Sequence, residues 1–150
     1  MHPRIRTSLA ALVLAALVLA SGSVAGDART SAHYKVIVHP RNPSTSIDQD
    51  FLRGAFLRKV SAWGHGQGIH PVDLSKRFSV REQFIHEVLK KTPAQLKSYW
   101  SQQIFSGKRT PPPEVGAPAD VISYVLANPG SVGYLPEDVD PGGAKVVEVK

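Results

Sequence analysis

The sequence predicts an α/β sandwich of three-layer type around a small sheet. Two observations predict it. From residue 34 onward, short β-branched runs alternate with stretches of helical periodicity. Each helical stretch also opens on a capping or proline signal. There is no cysteine, so no disulfide framework, thiol nucleophile or thiolate metal site is available, and the core alone must hold the fold.

The elements follow in order. Tyr34 to His39 (YKVIVH) is β-branched and stops at Pro40, which predicts a strand. Pro40 to Ser46 is rich in Pro, Asn, Ser and Thr and predicts a loop. Ser46-Ile47-Asp48-Gln49 fits a capping box, with Ile47, Phe51, Leu52, Ala55 and Phe56 at helical spacing after it. Gly54 inside that helix costs about 1 kcal/mol relative to Ala, which calls for a packing reason. Gly64 to Gly68 predicts a turn and Ile69 to Leu74 a second strand.

A second capping box reads Ser79-Val80-Arg81-Glu82, followed by the apolar stripe Val80, Phe84, Ile85, Val88 and Leu89. Thr92-Pro93-Ala94-Gln95 starts a third helix, lined by Leu96, Tyr99, Trp100 and Ile104 and ended by Gly107. Pro111 to Pro113 form a stiff connector. Pro118 opens a fourth helix with Val121, Ile122, Val125 and Leu126 on one face. After the turn Asn128-Pro129-Gly130, strands are expected at Val132 to Leu135 and Ala144 to Val149.

The first 25 residues read as a cleavable signal peptide. Arg4 and Arg6 precede an apolar run from Leu9 to Ala20, and the small residues Ser23-Val24-Ala25 follow. The run is shorter than the roughly 20 residues a membrane-spanning helix needs. The expected organisation is a signal peptide at 1–25, a flexible leader at 26–33 and one domain at 34–150. The expected location is periplasmic or secreted, with no stable membrane anchor. The chain carries +6, and past the signal 16 basic face 12 acidic residues. This mild excess suits anionic small molecules or surfaces and is too sparse for a nucleic-acid stripe.

Three stretches together resemble one family. Residues 51–74 (FLRGAFLRKVSAWGHGQGIHPVDL) are similar to the "IFLGK…W.dG..i.PV" segment of phosphate-binding proteins of ABC transporters. Residues 79–84 (SVREQF) stand where that family has an Arg-Ser-x-Gly-Ser-Gly-Thr loop before a helix. Residues 128–138 (NPGSVGYLPED) resemble its "tPGaIGYv" turn and strand. The order and spacing agree over about 100 residues. The resemblance implies one lobe of the type 2 periplasmic binding protein fold, as in short phosphate ABC transporter substrate-binding-like proteins. It also implies a solute-binding protein rather than an enzyme, with phosphate or a similar oxyanion held by hydroxyls and helix N–H groups.

Two helix starts are candidate anion sites. Ser44, Thr45 and Ser46 bring three hydroxyls to the first, and the same residue types also suit an ordinary loop and cap. Ser79 lies at the second, with Lys76, Arg77 and Arg81 close by, and reads equally as a cap on a solvated basic patch. Both glycines of the family loop are replaced there, Phe78 and Val80 standing near their places. Histidines at 65, 70 and 86 with Asp73 lack metal-ligand spacing. No nucleophile motif is present, and neither a catalytic residue nor a cofactor is expected. The alternative is an interaction module that has lost its ligand and meets a protein partner or a second copy of itself.

Overall fold

In the computed structural model the described residues are 33–150. The signal peptide and nearly all of the leader lie outside them. The strands are β1 (Tyr34–Val38), β2 (Ser46–Ile47), β3 (His70–Pro71), β4 (Asp73–Leu74), β5 (Glu114–Val115), β6 (Ser131–Pro136) and β7 (Lys145–Val149). The helices are α1 (Gln49–Phe56), α2 (Ser79–Glu87), α3 (Pro93–Phe105) and α4 (Pro118–Ala127). Among the described residues no helix is long and apolar enough to cross a membrane.

Five strands form one sheet in the order β2-β7-β1-β6-β3. β1 lies in the middle, antiparallel to β6 and β7, and β2 and β3 run parallel to their neighbours at the two edges. The strand expected at 69–74 is one extended run that changes partners. His70 and Pro71 pair with β6, and after Val72 the chain pairs in parallel with β5 through Asp73 and Leu74.

Register explains the layers. Val36 pairs with Tyr134 and Ile37 with Gly133, so alternate residues face opposite sides of the sheet. On the Tyr134 side the ring stacks on Phe84 of α2 at 4.0 Å and lies 5.9 Å from Phe56 of α1. On the Gly133 side α4 presses close: a Cβ at 133 would stand 2.7 Å from Val121 Cγ1 and 2.9 Å from Val72 Cγ1. Helices on both faces make three layers, and the core fills both interfaces. Gly54 has its packing reason, since a Cβ there would meet Val60 Cγ2 at 2.7 Å.

Both serine capping boxes are corrected. Ser46 is a strand residue, held by β2 pairing with Glu148 and Val149, and the cap of α1 is Asp48. Ser79 is the first helical residue of α2; the cap position is Phe78, which has no side-chain hydrogen bond to offer. The third box forms as expected, with Thr92 and Gln95 bonding reciprocally. The α3 stripe is also corrected: only Leu96 is fully buried, and Ile104 is 56% exposed.

Candidate functional site

Parallel strands deliver their following helices to the same end of a sheet, where ligands gather in α/β folds. β4 and β5 do this. β4 leads through Ser75–Phe78 into α2, and β5 leads through Gly116 and Ala117 into α4. The two connections stay together because Ser75 N–H donates to Val115 O at 2.9 Å and Arg77 Nη2 donates to Gly116 O at 2.9 Å. Neither α2 nor α4 has a side-chain cap. Two helix starts therefore lie beside each other with Arg77 between them. α2 begins with Ser79 and Val80 N–H, whereas α4 has fewer to offer, since Pro118 has no N–H and Asp120 and Val121 N–H donate to Ala117 O.

Ser79 is exposed in the first turn of α2, and Lys76 and Arg77 are exposed in the turn before it. A cavity of about 190 Å3 beside this turn is lined by Lys76, Arg81, Glu82, Ile85 and Pro93. Asp120, in the first turn of α4, also approaches Gly116 and brings a negative charge to the α4 start.

Arg81 has a different task. Its Nε and Nη2 donate to Asp73 Oδ2 at 3.0 and 2.8 Å, and Glu114 Oε2 stands 3.6 Å away. The Tyr134 hydroxyl donates to the other Asp73 oxygen. Burial works to lower the Arg81 guanidinium, but its hydrogen bonds and charge contact with Asp73 prevail and hold it above its ordinary value. Burial, reinforced by the neighbouring Asp73 carboxylate, pushes the Tyr134 phenol well up. The network ties β4, α2, β5 and β6 together at the root of the site.

The Ser44–Ser46 loop lies elsewhere. β2 and β3 are opposite edges of the five-stranded sheet, four strand spacings or about 19 Å apart along it. The N–H groups of α1 are already occupied. Asp50 N–H and Phe51 N–H donate to Asp48 Oδ1, and Gln49 N–H donates to Lys150 O. Ser44 N–H donates to Asn42 Oδ1, and Thr45 O accepts from Glu148 N–H. Ser79 and Arg77 thus stand at the paired helix starts, Arg81 is turned to Asp73, and Ser44, Thr45 and Ser46 lie apart from them.

Among the described residues no three His, Asp or Glu side chains converge as a metal site. His65 stacks on Trp63, and His86 lies 3.8 Å from Glu82. Sequence reading placed the start of α4 at Pro118, as found, but not as part of a site, and it missed the link from Asp73 to Tyr134. No local signal marks a contact between residues 61 positions apart.

No family model and no curated protein matches the sequence. Solved structures do match. A putative phosphate ABC transporter substrate-binding protein with bound phosphate from Clostridium perfringens aligns with a TM-score of 0.60 and 17% identity, covering 77% of this chain and 44% of that one. An ABC-type phosphate transport receptor from Vibrio cholerae gives 0.59 and 16%, covering 77% and 45%. PstS from Borrelia burgdorferi gives 0.59 and 14%, covering 78% and 47%. The chain spans less than half the length of these proteins, and over that span it has the fold of one lobe of a phosphate ABC transporter substrate-binding protein.

Proposed function

We propose that the chain is an exported, non-enzymatic solute-binding protein that holds phosphate or a similar oxyanion where α2 and α4 begin. The observation that carries this reading is the pair of adjacent helix starts without side-chain caps, bridged by Arg77 and flanked by Ser79 and Lys76. Ser79 Oγ and the first N–H groups of α2 would donate to the anion, and Arg77 would add charge-assisted bonds. Arg81 fixes the α2 start against β4 through Asp73. The fold is that of proteins described as phosphate-binding, one of them with bound phosphate, which supports the ligand class. In this reading Ser44, Thr45 and Ser46 lie outside the site. Export rests on the basic start, apolar run and small-residue exit of residues 1–25, and N-terminal sequencing of the mature protein is expected to begin at Gly26.

Titration calorimetry with inorganic phosphate on residues 26–150, which keep the whole described fold, tests the site. Binding is expected to weaken about tenfold in Arg77→Ala or Ser79→Ala and to be unchanged in Ser46→Ala. No heat and no thermal shift at millimolar phosphate would refute the reading.

A further inference from the structure

We propose that α3 and the segment after it dock reversibly on the surface of an anionic phospholipid bilayer. The inference stands apart from the oxyanion site and starts from two apolar side chains that the fold leaves exposed. At the C-terminal end of α3, Phe105 is 96% exposed and Ile104 56% exposed. Tyr99 and Trp100 are half-buried on the same helix, their rings 4.8 Å apart. Only Leu96 of this 13-residue helix is fully buried, so most of its surface contributes nothing to the core. The Tyr99 hydroxyl is used within the fold, donating to Leu57 O at 2.8 Å, so the protruding Phe105 and Ile104 with the amphipathic Trp100 beside them are what give this helix an interfacial composition.

Charge points the same way. Between residues 88 and 113 the chain has Lys90, Lys91, Lys97, Lys108 and Arg109 and no acidic residue. Among the described residues none of these five is in an ion pair. Helix stability does not call for them all. Lys90 and Lys91 precede the N-terminus of α3, where the helix dipole disfavours cations, and the first turn has no acid to offset them. The cations occur before, within and after a helix about 20 Å long rather than gathered in one pocket. A field spread over that length matches a sheet of negative charge better than a single small anion. Phe105 and Ile104, between Lys97 and Lys108 in sequence, would enter the headgroup boundary while the cations meet lipid phosphates.

The groove beside α3 gives a partner protein as the competing occupant. It has a volume of about 480 Å3, with Trp100, Ile104, Pro111 and Pro112 among its lining residues. Phe105 is not among those lining residues, and the proposal turns on Phe105, so the experiment separates the two. Residues 26–150 are mixed with vesicles of phosphatidylcholine alone or with phosphatidylglycerol, and binding is read by sedimentation and by tryptophan emission. Trp63 is buried, so an emission shift to the blue reports Trp100. Binding is expected only with phosphatidylglycerol, weakening with salt. Phe105→Ser should reduce it about tenfold or more without changing the melting temperature. Combined Lys90→Gln, Lys91→Gln, Lys108→Gln and Arg109→Gln should abolish the preference for the anionic lipid. The proposal is overturned by equal binding to both vesicles, by no binding, or by an unaltered Phe105→Ser. Displacement from vesicles by millimolar inorganic phosphate would also overturn it. So would binding to polyglutamate that matches vesicle binding and is equally sensitive to Phe105→Ser, which would indicate an acidic protein partner.

Discussion

Asp73 accepts from Arg81, Tyr134 and Leu74 N–H at once, and each bond crosses between elements or fixes the end of β4. Side chains of Asp73 and Arg81 are mostly buried, so removing one partner strands the other. Asp73→Asn is expected to destabilise the protein by about 3 kcal/mol in urea unfolding. Tyr134→Phe, which loses one bond to a carboxylate, should cost about 2 kcal/mol. The double variant Asp73→Asn with Tyr134→Phe should cost less than the sum, because both act through one carboxylate. The tyrosines also set an alkaline limit. Burial, with Glu87 beside it, raises Tyr34 to about 12, and Tyr134 is raised as well. Above pH 10 the unfolded chain releases these protons while the fold retains them, so the tyrosines' contribution to stability should be fully present below that pH and be lost as pH rises through 10 to 12. Urea midpoints at stepped alkaline pH would show the decline, and a smaller decline is expected in Tyr134→Phe. Asp73 and Arg81 are visible in the sequence as single charges. Their pairing is not, because it depends on β4 running straight into the turn that starts α2.

At the scale of elements, the Ser-x-x-Gln and Ser-x-x-Glu patterns located two helices to within a residue or two but misassigned both caps. For α1, pairing of Ser46 and Ile47 with β7 extends the strand, and Asp48 then caps with its stronger charged acceptor. For α2, Phe78 is held extended by packing on the core, and Ser79 is drawn into the first turn. Tertiary pairing overrode the local signal in both cases. Thr92-Pro93-Ala94-Gln95 has no such competitor and forms as its sequence indicates. The three helices therefore respond differently to loss of a hydroxyl or carboxylate. Asp48→Ala and Thr92→Ala should each cost about 1 kcal/mol. Ser79→Ala should stay within about 0.5 kcal/mol while weakening phosphate binding. Parallel urea titration and calorimetry on the three variants check this, and a large stability loss in Ser79→Ala would contradict the assignment of Phe78 as cap.

At the scale of the molecule, alternation of strands and helices was enough to foresee three layers, but not the sheet order. The central strand β1 pairs with segments about 100 residues later, and nothing local encodes which edge each parallel strand takes. Gly133 shows how the layers and the candidate site are coupled. The resemblance marked it only as part of a turn-and-strand motif, whereas in the fold it is the point where α4 touches the sheet. A methyl at 133 would meet Val121 Cγ1 at 2.7 Å and Val72 Cγ1 at 2.9 Å, both too close, so α4 or the β3–β4 run must shift. Gly133→Ala is therefore expected to cost about 1–3 kcal/mol by overpacking. Val121 is the fourth residue of α4, so the displacement falls on the helix start that Arg77 joins through Gly116. Phosphate affinity should drop in Gly133→Ala although residue 133 is buried beneath the helix. Adding Val121→Ala makes room for the methyl and should restore part of both stability and affinity. Recovery of stability without recovery of affinity would separate the two, and would show that the start of α4 is not part of the anion site.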